Sequence, residues 1–245
     1  MVSELVMTTN PLQIQLSFKN ILVFLFFFFL MHELHELAHI ITSRLICGCW
    51  GTRDFNVWSL CADCEKQHPF AVIATFAGPI FTFTMLWIGR YWLKYGESDQ
   101  SRSLGLVLIL GNMQFGRMYM AAMGSGDEVS GLRTIFLNPD HSNAMIIRIV
   151  AFVIVSAICI PPLITAYKAI ANKRKLLIFI CFLIVPLVLD TVVILILLNG
   201  ILEKEILSQV WIMDTPLLIT LWFAACAVIV GSNFRCLRYF AKSAS

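Results

Sequence analysis

The chain has 245 residues, of which 59% are hydrophobic and 13% are charged, and its mean hydropathy is +0.82. A soluble domain carries about twice that share of charged residues, so the composition excludes an ordinary soluble protein and favours an all-α, polytopic membrane protein. The net charge of +3 is spread along the chain and forms no basic cluster, which argues against a nucleic-acid partner.

Long apolar runs predict about six transmembrane helices. They are expected at about 20–45, 70–93, 104–123, 145–168, 176–199 and 216–231. A lead of residues 1–19 precedes them, and a basic tail of residues 232–245 follows them. The fifth and sixth spans show no group typical of catalysis, so we expect them to contribute packing.

The first span contains a cluster of histidines and glutamates among large apolar side chains. Within it, His35-Glu36-Leu37-Ala38-His39 is an H-E-x-x-H pattern. Histidines at positions i and i+4 of a helix lie one turn apart and can bind one Zn²⁺, while the adjacent glutamate can accept a proton from water. An acidic side chain in the middle of a span costs about 3 kcal/mol, so the cluster predicts a functional metal site.

A catalytic zinc requires three protein ligands and one open position. His32 lies one turn before His35 and is either a ligand, a hydrogen-bond partner of a ligand, or an ordinary buried histidine. Three ligands at His32, His35 and His39 would spread over about 10 Å of one straight helix, so we expect the third ligand to come from elsewhere. The apolar pattern brings the end of the first span, residues Gly78-Pro79 of the second and Asp127 after the third to one membrane face.

These residues resemble the motifs of the site-2 protease family of intramembrane zinc metalloproteases. The resemblance rests on the H-E-x-x-H pattern, on Ala77-Gly78-Pro79 and on the arrangement from Asn112 to Asp127, and it covers about residues 20–130. It implies that Asp127 is the third ligand and that Asn112, Gly78 and Pro79 receive an extended substrate strand. The family more often has Asn-x-x-Pro followed by Leu-Asp-Gly, whereas here Asp127 precedes Glu128, which leaves Glu128 and His141 as alternative ligands.

The resemblance further implies a zinc endopeptidase whose core, spans 1–3 within residues 20–130, holds one Zn²⁺ and uses Glu36 as the general base. Residues 131–231 are then accessory helices, and the partners are a transmembrane protein substrate and the lipid bilayer. We expect a multi-pass integral membrane protein, located in the plasma or inner membrane if the host is bacterial. Two alternatives stay open, an inactive relative that serves as a membrane scaffold and a zinc transporter.

Two further polar residues of the predicted spans need partners. We expect Glu33 to make a polar contact between helices and Arg117 to pair with a carboxylate, for which Glu33 is one possibility. An interhelical hydrogen bond is the alternative role for Asn112.

The polar insert between the first two spans, residues 47–68, contains Cys47, Cys49, Cys61 and Cys64. These cysteines are consistent with two disulfides, a structural zinc site or free thiols. About 11 Lys and Arg residues flank the spans on the side of the chain ends and about 6 on the side of the insert, which predicts that the insert lies outside the cytoplasm. The family resemblance implies the opposite orientation.

Overall fold

A computed structural model describes residues 10–244, and within that range the protein is mostly helical. This confirms the predicted helical class, to which the chain ends add one small sheet. Residues 1–9 of the expected lead and residue 245 of the expected tail lie outside the described residues.

The elements follow one another along the chain in this order: β1 (Leu12–Ile14), α1 (Phe18–Cys47), α2 (Cys64–Gln67), α3 (Val72–Tyr95), α4 (Asp99–Leu110), α5 (Gln114–Met123), α6 (Asp127–Phe136), α7 (Ala144–Ala169), α8 (Lys175–Asp190), a π-helical segment (Thr191–Leu198), α9 (Asn199–Leu202), a 3₁₀ turn (Ile212–Asp214), α10 (Leu217–Ser232), α11 (Phe234–Arg238) and β2 (Ala241–Ser243).

Within residues 10–244, four helical segments are long and apolar enough to cross a membrane. They are α1, α3, α7 and the continuous helix over 175–202 that joins α8, the π-helical segment and α9. Large apolar side chains such as Ile146, Val153 and Leu197 are exposed on the outside of these helices. An apolar exterior of this kind would be unstable in water and is suited to lipid, so the chain is a membrane protein.

The third predicted span is not one helix, and the prediction of a continuous helix over 104–123 is wrong. Instead, α4 ends at Leu110 and α5 begins at Gln114, with Met113 in the left-handed region at φ 50°. Gly111 lies so close to α1 that a Cβ atom there would stand 2.7 Å from the Phe27 ring. The close approach of α1 thus accompanies the break, and the break places Asn112 between two helices.

The two ends of the described chain meet on one face. Strands β1 and β2 pair antiparallel, with Leu12 opposite Ser243 and Ile14 opposite Ala241. Leu12 also bridges to Ile170 at the end of α7, and Asp99 at the start of α4 accepts hydrogen bonds from Ser243. We call this side the terminal face. The expected basic tail is therefore a packed part of the fold.

The insert lies at the other end of α1. Two disulfides, Cys47–Cys64 and Cys49–Cys61, close it, so the first of the three interpretations of these cysteines is the one that the structure contains. The end of α1, the insert and the start of α3 define the insert face. Helix α3 packs against α1, α4, α6 and α7, and through these contacts it brings the polar residues of α1 next to the start of α6.

Candidate metal centre

Three potential ligand atoms converge where α1, α3 and α6 meet. The Nε2 atoms of His35 and His39 are 3.2 Å apart, and Asp127 Oδ2 is 3.2 Å from the first and 3.6 Å from the second. A tetrahedral zinc with bonds of 2.0–2.1 Å requires about 3.3 Å between its ligand atoms. The triangle therefore has the dimensions of three corners of a zinc coordination tetrahedron.

Helix α3 fixes both imidazoles in the orientation that a metal requires. His39 Nδ1 donates a hydrogen bond to the carbonyl oxygen of Ala74 at 2.6 Å, and His35 Nδ1 lies 2.8 Å from Thr82 Oγ1. Because a carbonyl oxygen only accepts, the proton of neutral His39 resides on Nδ1 and its Nε2 presents a lone pair. Lone pairs of His39 and of the Asp127 carboxylate thus face each other, an arrangement that a cation stabilises.

Gly78 provides the space for such a cation. A Cβ atom at this position would lie 2.3 Å from His39 Nε2 and 2.6 Å from His35 Nε2. Any side chain here would therefore enter the volume between the ligand atoms. Pro79 follows within α3 and is buried. The structure thus places Gly78 beside the predicted ligands, while the predicted contact of Gly78 and Pro79 with substrate stays a prediction.

Asp127 is positioned by its place in the chain and by a partly buried cation. It is the first residue of α6 and follows Gly126, whose φ of 86° favours glycine. Arg117 of α5 donates a hydrogen bond to Asp127 Oδ2 at 2.8 Å. The same guanidinium donates two hydrogen bonds to Glu128, at 3.0 and 2.7 Å, and therefore holds both carboxylates.

These contacts bear on the alternative ligands and on the expected partner of Arg117. The carboxylate of Glu128 is bound to Arg117, and the ligand group formed within residues 10–244 comprises His35, His39 and Asp127 without Glu128 or His141.

The predicted pairing of Arg117 with Glu33 is wrong. Glu33 instead pairs with Arg53 of the insert, whose guanidinium lies 2.8 Å from its carboxylate, so its contact is with the insert and not between helices.

Glu36 lies beside the triangle with one carboxylate oxygen free. Its side chain is buried, and Oε2 has no hydrogen-bond partner among the described residues. Its other oxygen is 4.0 Å from His32 Nε2, and His32 Nδ1 in turn lies 2.9 Å from Asp190. His32 thus lies between Glu36 and a carboxylate of the fifth predicted span, so this span adds a buried polar contact to its packing.

Asn112 lies in the break between α4 and α5 and is 2% exposed. Its amide donates a hydrogen bond to the carbonyl oxygen of Leu108 in the preceding helix, α4. This bond to the adjacent helix end is not the bond between packed helices that was the alternative prediction. Its predicted contact with substrate stays a prediction.

The insert covers the centre from one side. The indole of Trp58 stacks on the imidazole of His39, with ring centroids 4.6 Å apart and planes 13° from parallel. Arg53 of the same segment pairs with Glu33, which precedes His39 by six residues, or nearly two turns, of α1. The insert thus shields a ligand and neutralises a buried carboxylate.

The side chains of four residues around the ligands were not predicted from the sequence, namely Thr82, Arg53, Trp58 and Asp190. Asp190 carried a signal, because a single carboxylate in an apolar span indicates a functional contact by itself. The other three are ordinary residues for their positions, and only the packing of α3 and of the insert against α1 reveals their contacts.

The residues present fit a divalent metal. Two imidazoles and a carboxylate, with a free glutamate oxygen adjacent, form the type of ligand set found in catalytic zinc sites. Among the described residues, a second group of potential metal ligands consists of cysteines of the insert, Cys47, Cys61 and Cys64, and these cysteines form disulfides. Comparisons with protein-family models, with curated proteins and with solved structures gave no match to the chain.

Proposed function

We propose that the protein is an intramembrane zinc endopeptidase that hydrolyses a peptide bond in or near a transmembrane segment of another membrane protein. The observation that supports this most is the triangle of His35, His39 and Asp127, whose ligand atoms are 3.2–3.6 Å apart inside an apolar helix bundle. The free oxygen of Glu36 next to it is the second support. A buried metal site with an adjacent base is suited to hydrolysis within the membrane.

In this proposal, His35 and His39 would hold the zinc through Nε2 and Asp127 through Oδ2. The bound ion supplies a Lewis acid that polarises the scissile carbonyl and makes water more acidic. Glu36 accepts the proton of the attacking water at its free oxygen as the hydroxyl adds to the carbonyl carbon. When the C–N bond breaks, Glu36 returns this proton to the leaving amine.

A substrate helix hides its carbonyl groups in its own hydrogen bonds, so it must unwind before cleavage. Asn112 lies in the break between α4 and α5, and Gly78, which Pro79 follows, lies beside the ligand triangle. We propose that these three residues receive the opened strand. The broken third span and α10, added to the four long apolar helices, would give six crossings of a multi-pass protein. A plasma or inner membrane is the expected location in a bacterial host.

The test is cleavage of a single-pass reporter, whose transmembrane segment contains Gly and Pro, by purified protein in liposomes. We expect Glu36→Gln to retain one zinc per chain and to reduce the cleavage rate by about 10²–10⁴-fold, because only the proton acceptor is lost. Equal cleavage by the Glu36→Gln variant would disprove the mechanism.

The two alternatives predict different results in the same liposomes. A scaffold protein would leave every reporter intact even when loaded with zinc. A transporter would move zinc across the bilayer in a saturable manner that His39→Ala abolishes. The protease proposal expects cleavage and no zinc uptake.

A further inference from the structure

The disulfides of the insert indicate the compartment in which it folds. Cys47–Cys64 and Cys49–Cys61 tie the end of α1 to the segment before α3. Disulfides form and persist in oxidising compartments such as the periplasm, the lumen of the endoplasmic reticulum or the cell exterior, and they are rare in the cytosol. The insert face therefore belongs on the non-cytoplasmic side of the membrane.

A cytosolic zinc knot is the alternative use of the same cysteines, and the geometry disfavours it. A structural zinc takes four protein ligands. The cysteines whose sulfur atoms lie close enough together to share an ion are Cys47, Cys61 and Cys64, and Cys49 is outside this group. In the structure the four sulfur atoms form two disulfides, so none of the four is a free thiolate for a metal.

The charges of the terminal face point to the same orientation independently. About 11 Lys and Arg residues belong to this face and about 6 to the insert face, and the densest group is Lys173, Arg174 and Lys175, which ends on the first residue of α8. An excess of positive charge is typical of the cytoplasmic side of a membrane protein. Cys236, in α11 of the terminal face, is a free thiol and does not bear on the orientation.

The ligand triangle lies in the half of α1 next to the insert. His39 precedes Cys47 by eight residues and His35 precedes it by twelve, which corresponds to about 12–18 Å along the helix axis. Trp58 of the insert stacks directly on His39, so the two regions are in contact. The orientation of the insert is consequently the orientation of the metal centre.

We propose that the metal centre faces the oxidising, non-cytoplasmic side, and that its substrates are membrane proteins cleaved in the half of the transmembrane segment nearest that side. The statement about substrates rests on the proposed proteolysis. The statement about orientation does not, since it depends on disulfides, charge and contacts alone.

The orientation is tested by labelling intact cells that express the full chain with a membrane-impermeant maleimide. Two exposed positions serve as reporters, Val57→Cys in the insert and Lys173→Cys on the terminal face, both in a Cys236→Ser background. We expect Val57→Cys to react in intact cells and Lys173→Cys to react only after lysis. The reverse pattern would overturn the proposal.

The added thiol of Val57→Cys can exchange with the neighbouring disulfides, so a second readout is needed. The native cysteines provide it. In the unmodified protein, we expect the four insert thiols to react in intact cells only after treatment with a membrane-impermeant reductant. Insert thiols that react without reduction, or that hold a second zinc per chain, would also overturn it. Glu36→Gln should label in the same way as the parent.

The single-pass reporter, inserted in both orientations, tests in which half of a substrate helix the protein cleaves. We expect the cleaved bond, located by mass spectrometry, to lie in the non-cytoplasmic half of the reporter helix. Cleavage in the cytoplasmic half would refute the substrate class even if proteolysis is real. Absence of any cleavage would refute the proposed function while leaving the labelling result to decide the orientation.

Discussion

Helix α1 carries two kinds of buried polar contact that differ in what they lack. In the ligand triangle, lone pairs of His39 and Asp127 face each other at 3.6 Å, an arrangement that a bound metal ion would stabilise in addition to the Arg117 guanidinium on Asp127. In the flanking pairs, Glu33 with Arg53 and His32 with Asp190, each polar group already meets a partner of opposite or complementary character. The first arrangement has the ligand atoms to bind a metal ion, whereas in the second the facing groups already pair with each other, with Glu33 Oε1 left without a partner among the described residues.

This difference predicts two classes of variant. Changes in the triangle should remove metal and leave the helix bundle intact, because the triangle contributes little without its ion. Changes in the flanking pairs should lower stability or misplace Glu36 while the metal remains.

Loss of a ligand should have the largest effect. We expect Asp127→Ala to be purified without metal. His32 is not a ligand and lies next to Glu36, the neighbour of the ligand His35, so we expect His32→Ala to keep zinc with an affinity weakened by about 10–100-fold. Metal analysis with titration of a zinc chelator measures both. An empty His32→Ala and a fully loaded Asp127→Ala would reverse the assignment of the third ligand.

Gly78→Ala should also empty the site without changing a ligand. The added Cβ would lie 2.3 Å from His39 Nε2 and occupy part of the volume of the ion. Gly231→Ala is the matched control, since a Cβ atom in that position of α10 would have no neighbour within 4 Å. We expect zinc content and cleavage to fall in Gly78→Ala alone. Full zinc loading of Gly78→Ala would show that the ion lies elsewhere.

The Glu33–Arg53 pair should affect stability and not metal content. Arg53→Ala leaves the buried Glu33 carboxylate without a counter-charge, and removal of one partner of a buried ion pair costs about 3–5 kcal/mol. We expect a lower thermal midpoint with zinc content per folded chain unchanged. The double variant Glu33→Met/Arg53→Met should recover most of the loss, and a double variant as unstable as Arg53→Ala would contradict the ion-pair explanation.

Asp190 should have the smallest effect, confined to catalysis. Asp190→Asn keeps a hydrogen-bond acceptor for His32 but removes the charge, so we expect kcat to fall by about 10–100-fold with KM and zinc content unchanged. Partial recovery in Asp190→Glu and normal activity in Thr191→Val, an exposed neighbour, would complete the pattern. A changed KM or a loss of zinc would instead indicate a general structural role.

The sequence predicted the helices better than their interruptions. The apolar runs gave α1, α3, α7, the helix over 175–202 and α10 to within about three residues, because hydrophobicity and length determine such helices. The break at Gly111 was not predictable, since it coincides with the close approach of Phe27 from another helix. The packed ends of the chain were missed for the same reason, because β1 and β2 are more than 200 residues apart.

The site was predictable as far as its residues share one helix. The spacing of His35, Glu36 and His39 determines their common face, and the apolar pattern brings Asp127 to the same membrane face. The partners that complete the surrounding, such as Ala74, Thr82 and Trp58, contribute a backbone carbonyl, a hydroxyl and a ring stack. Groups of these kinds occur throughout any sequence, so only the packed structure distinguishes them.

X-ray absorption at the zinc edge of the purified protein is the sharpest test of His35, His39 and Asp127 as ligands, because it reports the atoms bound to the ion. We predict a shell of nitrogen and oxygen at about 2.0–2.1 Å from two imidazoles, Asp127 and one further oxygen, without sulfur. Among the described residues, Cys47, Cys61 and Cys64 form a second group that could hold an ion. A sulfur shell at about 2.3 Å, or a protein that binds no zinc, would contradict this assignment of the ligands.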